Sequence, residues 1–426
     1  MNVTRTELLP NIYLRTVETT KFKSAYLSIS LKTPLAEETA TANALIAAVL
    51  RRGTKNYPDM ESLAGALDDL YGGSVEPAIR KRGETQAVTL FASFLDDAYT
   101  LDKKPILESA VALMGEVFLH PVTENGVFVS EYVTSEKTNL LQRIRSVVNN
   151  KGQYAKSQLI KHMCKDEAFG VEGFGSEEYI PDITPESLWE RYQTLLKTSE
   201  IEIYHCGSAS HDRVKVAVEQ LLTLLPPRGE VLDCPCDIRI TVPETPNFHA
   251  QSMDVTQGKL ELGFRTSGIS VWEEGCYALV LANAIFGGTS MSKLFMNVRE
   301  KLSLCYYAGS NYDRLKGILT VSSGIEFDKF EEAKSEILAQ LKNMQEGKIT
   351  TEELEGTRNI WLDAIRTIAD EQDALEGYWF SQSLIGEEES IQEAIEKAKA
   401  VTMEQVVEVS KQIKLDTIYF LKGLEE

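Results

Sequence analysis

Residues 286–310 read FGGTSMSKLFMNVREKLSLCYYAGS, and this stretch gives the strongest indication of the fold. Met291, Leu294 and Val298 stand at helical spacing, which predicts an amphipathic helix. A strand is predicted over 303–313, so Arg299 and Tyr306 lie on either side of a helix-to-strand junction. An arginine and a phenol at such a junction could both donate hydrogen bonds to a peptide carbonyl. We therefore treat Arg299 and Tyr306 as a candidate carbonyl-binding pair.

The order of elements around this stretch occurs twice in the chain, which indicates an internal duplication. Each half has a strand, an apolar helix and a Gly-Thr pair, at 25–33, 40–50 and 53–54 in the first half and at 259–266, 272–286 and 288–289 in the second. Each half ends with a capped helix and a strand, and a proline-rich segment separates the halves. We predict an α+β fold with domains at 1–228 and 249–426, joined by a linker at 229–248. Each domain is predicted to pack a mostly antiparallel sheet with helices.

Composition excludes several classes of partner. The 44 basic and 64 acidic residues give a formal charge of -20, which disfavours nucleic acid and anionic membrane surfaces. The first residues have no apolar segment behind a basic one, and we find no uninterrupted apolar run long enough to span a bilayer. We therefore expect a cytoplasmic protein. Its six cysteines match no disulfide framework or zinc-ribbon spacing.

The duplicated halves and the run 286–310 resemble the pitrilysin/insulinase family of zinc metallopeptidases over essentially the whole chain. The resemblance is sharpest at Gly287-Gly288, Met291, Leu294-Phe295, Arg299-Glu300-Lys301 and Tyr306. It implies that Arg299 and Tyr306 reach the substrate carbonyl beside a zinc ion. In this family that zinc is held by the first half of a chain.

The zinc ligands of that family are missing from this sequence. The family carries His-x-x-Glu-His shortly before the Gly-Thr of its first half, and the matching positions here are Ala44, Ala47 and Ala48. Arg143 stands where the family has its third ligand, a glutamate, and its positive charge would repel a divalent cation. The five histidines include no two spaced three or four residues apart. We therefore expect no metal or other cofactor in this chain.

These observations lead to three hypotheses about function. The first is a catalytically incomplete subunit of a heterodimeric zinc peptidase, resembling two-subunit bacterial members of the family. It would supply Arg299 and Tyr306 in trans to a homologous partner that holds the zinc, with a peptide or small protein as substrate. The second is a non-catalytic scaffold or peptide-binding module of the same fold. The third is a self-sufficient peptidase with unconventional ligands. A homodimer is possible when the chain is isolated.

Overall fold

The computed structural model describes residues 1–101 and 104–424, and within these ranges the chain forms thirteen strands and thirteen α-helices. The strands are β1 Asn2–Leu9, β2 Ile12–Glu18, β3 Ser24–Pro34, β4 Ser74–Arg82, β5 Thr85–Leu95, β6 Thr123–Glu124, β7 Val127–Phe128, β8 Glu200–Gly207, β9 Asn247–Ser252, β10 Gly258–Arg265, β11 Tyr307–Asp313, β12 Ile318–Ile325 and β13 Lys414–Lys422. The helices are α1 Glu37–Leu50, α2 Met60–Asp68, α3 Leu107–Leu119, α4 Ser130–Ser146, α5 Lys151–Met163, α6 Pro185–Thr198, α7 His211–Leu222, α8 Cys276–Asn283, α9 Phe330–Gln345, α10 Thr351–Thr367, α11 Gln372–Ile385, α12 Ile391–Ala400 and α13 Met403–Ser410.

Two compact units are formed, and neither is a continuous stretch of sequence. Unit 1 comprises Met1–Arg145, Val171–Pro235 and Glu371–Leu384, and unit 2 comprises Ser146–Gly170, Cys236–Asp370 and Ile385–Glu426. Helix α5 therefore belongs to unit 2, although it lies in the first half of the sequence. Helix α11 belongs to unit 1, although it lies in the second half. The domain boundaries and the linker at 229–248 stay predictions.

Unit 1 is built on a six-stranded sheet with the order β1-β2-β8-β3-β5-β4. The β2–β8 pair is parallel and the other pairs are antiparallel. Leu27, Ile29 and Leu31 alternate along β3 and enter a hydrophobic core that also contains apolar residues of α1, α3, α6 and α7. Alternation therefore directs the side chains between them, Ser28 and Ser30, to the opposite face of the sheet.

Helix α11 packs against the sheet of unit 1 and forms polar contacts with β3 and β4. Glu376 is almost completely buried, forms an ion pair with Arg80 of β4 and accepts a 2.7 Å hydrogen bond from Ser28 Oγ of β3. The guanidinium of Arg80 also lies between the rings of Phe91 and Phe380. A buried carboxylate with a cation and a hydroxyl donor is satisfied, so α11 can lie in the interior of the unit.

Unit 2 is built on a five-stranded sheet with the order β11-β12-β10-β13-β9. The β9–β13 pair is parallel and the other described pairs of this sheet are antiparallel. Leu260, Leu262 and Phe264 of β10 enter a core with residues of α8, α9 and α13. The other residues of β10 meet α5. A Cβ at Gly263 would lie 2.5 Å from Met163 Sδ, so the close approach of α5 requires glycine there.

Buried ion pairs also fix the end of α5 on the sheet of unit 2. Glu167 follows α5, and its carboxylate lies 2.5 Å from Arg265 Nη2 and 3.0 Å from Lys316 Nζ. The Arg265 side chain is also 3.3 Å from Asp416 of β13. Two buried cations are thus balanced by two buried carboxylates. Such a network favours one position of the helix, because removing one partner would leave a buried charge uncompensated.

The predicted α+β class is confirmed, as two mixed sheets packed with helices. The capped helices predicted near the ends of the two halves are confirmed, since capping boxes begin α6 at Thr184 and α13 at Thr402, and a further capping box begins α10 at Thr350. Among the described residues, no helix has both the length and the apolar character needed to cross a membrane.

Candidate functional site

The segment that carries Arg299 is anchored in the core of unit 2. Helix α8 continues into a π-helical turn, Ala284–Gly288, and a second π-helical segment, Leu294–Lys301, follows. Leu294 and Val298 are fully buried and stand one turn apart, so this face is fixed. A Cβ at Gly287 would lie 2.6 Å from the backbone nitrogen of Ser310, which shows how closely the first turn approaches β11.

Arg299 lies on the outer side of this second segment. Its side chain is 40% exposed, and its guanidinium lies 4.6 Å above the ring of Phe295 and 3.5 Å from a carboxylate oxygen of Glu300. Both partners are on the same helical segment. An exposed pair of this kind contributes little to stability, so the guanidinium can change partner at low cost.

Tyr306 stands one residue before β11. The predicted strand 303–313 was wrong in its first residues, because the strand begins at Tyr307. Ser303 adopts a φ of 51°, and the N–H groups of Leu302, Ser303 and Leu304 bond to carbonyls of the preceding helical segment. These residues close the helix and are not available to the sheet.

The Tyr306 side chain is exposed but its backbone is fixed. Its N–H donates a 2.8 Å hydrogen bond to the carbonyl of Gly324. The residue is 58% exposed, and the phenol donates to Glu326 Oε1 at 3.3 Å. That distance is longer than usual for an O–H donor, so the contact is weak and the hydroxyl can exchange acceptors.

Tyr307 has a different environment from its neighbour. Its ring lies 5.3 Å from Lys259 Nζ, and burial, together with Glu261 and Cys305, raises its pKa to about 12. Glu261 is completely buried on β10, where Ser322 Oγ donates to one oxygen at 2.5 Å and the other oxygen has no hydrogen-bond partner. Burial raises the pKa of Glu261 to about 8. The burial of this carboxyl group could not be predicted, because its position in a strand indicates only half-burial.

The positions that match the zinc motif lie on α1 in unit 1. Ala44 and Ala47 belong to the hydrophobic core, and Ala48 is half-buried. The polar group next to them is Asn43, which donates to Gln86 and accepts from Arg191. Methyl groups cannot coordinate a metal, so these residues do not fit the zinc ion of the resembled family.

Arg143 lies near the end of α4, also in unit 1. Its side chain is exposed and its guanidinium lies 3.9 Å above the ring of Phe174. One carboxylate on the same helix, Glu136, is buried, but it lies 3.1 Å from Arg52 Nη1 and accepts from Asn139. In the part of the chain that the structure describes, no group of three or more His, Cys, Asp or Glu side chains could hold a metal ion.

Sequence spacing missed one pair of histidines. His162 of α5 and His249 of β9 stack in unit 2, with 3.9 Å between ring centroids and 9° between ring planes. Burial, followed by His249 and Lys161, lowers the pKa of His162. The rings meet because α5 packs on the sheet of unit 2, which no local spacing could reveal.

Comparison with known proteins identifies the family. The chain is 35% identical over 410 residues to the "Probable inactive metalloprotease YmfF" of Bacillus subtilis (strain 168), covering 96% of this chain and 95% of that protein. The family model described as "Peptidase M16 inactive domain" matches residues 182–360. The chain belongs to the M16 peptidase family. The family resemblance predicted from residues 286–310 is thus confirmed.

Other similar proteins share less of their sequence with this chain. The "Uncharacterized zinc protease YmxG" of Bacillus subtilis (strain 168) is 22% identical over 332 residues, covering 75% of this chain and 77% of that protein. A crystal structure of a conserved protein from Enterococcus faecalis V583 superimposes with a TM-score of 0.92 at 28% identity, over 100% of both chains. The M16 inactive domain from Pseudomonas fluorescens superimposes with a TM-score of 0.81 at 18% identity, over 100% of this chain and 99% of that one, which shows the shared fold.

Proposed function

We propose that this M16 chain is a catalytically incomplete subunit of a heterodimeric zinc peptidase. It supplies Arg299 and Tyr306 to a peptide substrate whose scissile carbonyl lies beside a zinc ion held by a homologous partner. The observation that carries the proposal is the contrast between two places in the chain. The three alanines at the zinc-motif positions carry no ligand and two of them lie in the hydrophobic core, whereas Arg299 is partly exposed, Tyr306 is exposed, and each is held by a weak contact.

The chemistry of the pair suits stabilisation of an oxyanion. When water attacks a peptide carbonyl, the oxygen gains negative charge, and donors aimed at that oxygen stabilise the transition state. The guanidinium of Arg299 provides a cation with several N–H donors, and the phenol of Tyr306 provides one O–H donor. Substrate would replace Glu300 and Glu326 as the acceptors of these groups. Both contacts are long enough for that exchange to cost little.

The zinc belongs to the partner in this proposal. Ala44, Ala47, Ala48 and Arg143 offer no ligand, so the proposal derives no step from a metal in this chain. The relative named a probable inactive metalloprotease supports a subunit that does not hydrolyse peptides by itself. We also propose, as the sequence predicts, that the chain arose by duplication of two similar halves and that it acts in the cytoplasm.

The experiment is reconstitution with a partner that carries His-x-x-Glu-His. The tagged chain would be used to capture that partner, and peptidase activity would be measured for each subunit and for the complex. Activity should require both subunits, and Arg299→Ala or Tyr306→Phe should lower kcat without loss of the complex. Matched controls are Arg366→Ala and Tyr99→Phe, which remove similar exposed groups elsewhere. A complex with full activity when both Arg299 and Tyr306 are changed would favour the scaffold hypothesis instead.

A further inference from the structure

A polar cavity of about 460 Å³ lies in unit 2, beside the helical segment that carries Arg299. The segment contributes Lys293, Asn297 and Lys301, which are spaced four residues apart. The remaining lining comes from α9, from the start of α10 and from the loop between them, through Gln340, Asn343, Lys348, Ile349, Thr350 and Glu353. The volume is in the range of small-molecule sites.

The charge of the cavity is opposite to that of the chain. Its lining includes three lysines and one glutamate, a formal +2, in a protein of formal charge -20. Clefts lined by charge of one sign concentrate ions of the other sign. Anions are therefore the ligands that this cavity favours.

The hydrogen-bond inventory also favours an anion. Lys293 is buried, and its ammonium lies 2.7 Å from Glu353 Oε1. The other oxygen of Glu353 already accepts the backbone N–H of Thr350 in the capping box of α10. Glu353 therefore takes one of the three hydrogens that the Lys293 ammonium can donate, which leaves two for a ligand.

The two exposed lysines add further donors. Lys301 forms no ion pair or hydrogen bond among the described residues. Lys348 lies 2.7 Å from Glu346 at the surface and donates to Asn343 Oδ1 at 3.3 Å. Three ammonium groups thus face two carboxylates, Glu353 and Glu346, and the ammonium of Lys301 is left for a ligand.

We propose that this cavity binds a multivalent oxyanion, such as a phosphate or diphosphate group. Such a group supplies several acceptor oxygens at once and matches the number of lysine donors. Lys293 and Lys301 stand at the two ends of the helical segment that carries Arg299, so a bound anion would join that segment to α9 and α10. The site contains neither Arg299 nor Tyr306 and does not depend on the proposed function.

The test is titration calorimetry of the full chain with inorganic diphosphate, with orthophosphate and citrate as separate arms at equal ionic strength. Diphosphate should bind saturably at one site, and the double variant Lys301→Ala/Lys348→Ala should weaken it by about 10-fold or more. Both lysines are exposed, so this variant should fold. The matched control, Lys411→Ala, removes an exposed lysine outside the cavity and should bind normally.

Three results with the wild type and the double variant would overturn the proposal. They are the absence of saturable binding by diphosphate and orthophosphate, equal binding by wild type and the double variant, and binding by citrate alone. Tighter binding of diphosphate than of citrate would support a phosphate-type group. An equal loss of binding in the Lys411→Ala variant would show only general attraction to a basic surface, which also contradicts a defined site.

Discussion

Replacing Glu261 with glutamine should stabilise unit 2 at alkaline pH and have little effect at pH 5. The carboxyl group is buried on β10 with one oxygen unpaired, and burial raises its pKa from 4.5 to about 8. Between these values the folded state keeps a proton that the unfolded state releases. The contribution of Glu261 to stability is therefore complete below about pH 4.5 and is lost as the pH rises through about 8.

The magnitude follows from the two pKa values of Glu261. Their difference corresponds to about 4 to 5 kcal/mol of unfolding free energy lost by about pH 8.5, against about 1 kcal/mol or less at pH 5. Glutamine has the same shape, can accept from Ser322 and does not ionise. For a unit of this size, a gain of about 4 kcal/mol raises the melting temperature by roughly 8 °C or more.

Differential scanning calorimetry at pH 5 and pH 8.5 would measure the effect of Glu261→Gln. The control is Glu167→Gln, a buried carboxylate that is already paired. Burial opposes ionisation of Glu167, but hydrogen bonds from Arg265 and Lys316 outweigh it and lower the pKa. This control should destabilise unit 2 at both pH values. Equal melting shifts of the Glu261→Gln variant at pH 5 and pH 8.5 would refute the reasoning.

Three further predictions concern unit 1. Arg80→Met should cost about 3 to 5 kcal/mol of unfolding free energy by leaving the Glu376 carboxylate buried without its cation, and Glu376→Gln should cost less; urea unfolding of both variants compares them. Burial lowers the pKa of His205 to about 4, so stability should fall as the pH drops from about 6.5 to about 4, and His205→Phe should remove that slope from thermal melts across this range. Ala44→His combined with Ala48→His should lower stability by about 2 kcal/mol or more, because the imidazole at position 44 enters a packed core, and elemental analysis should find no stoichiometric zinc; stoichiometric zinc without loss of stability would contradict this account of α1.

Much of the fold could be predicted because local signals agree with it. The strand predicted at 25–33 lies within β3, and the capped helix and strand predicted at the end of each half are α6 with β8 and α13 with β13. Gly317 has a φ of 61°, which suits glycine in the turn between β11 and β12. The strand start at Tyr307 was not predictable, because the helix end uses Ser303 in a conformation that serine rarely adopts.

The exchange of α5 and α11 between the two sequence halves could not be predicted in the same way. Part of what holds each helix in its unit is a buried carboxylate paired with an arginine. Glu376 and Glu167 look like surface carboxylates in the sequence, and they are buried only because Arg80 and Arg265 stand on strands far along the chain. Buried polar pairs give no periodic signal, so their partners must be found in three dimensions.

In the candidate site, too, some residues could be predicted from the sequence and others could not. The Arg299 and Tyr306 positions were predicted from the sequence of one short stretch, and their exposure is consistent with a role in binding. The acceptors Glu300 and Glu326 were not predicted, because one is a helix neighbour and the other lies beyond β12. The role of the pair stays a prediction, since it concerns a substrate and a second subunit.

The most direct test of the central claim is the kcat of the reconstituted heterodimer with Arg299 and Tyr306 changed one at a time. Loss of one oxyanion donor should lower kcat by roughly 100-fold, at the lower end of the usual range because both groups are partly exposed. The partner's zinc content and the yield of the complex should not change. Unchanged kcat in both Arg299→Ala and Tyr306→Phe complexes, or full peptidase activity of the partner alone, would contradict the account.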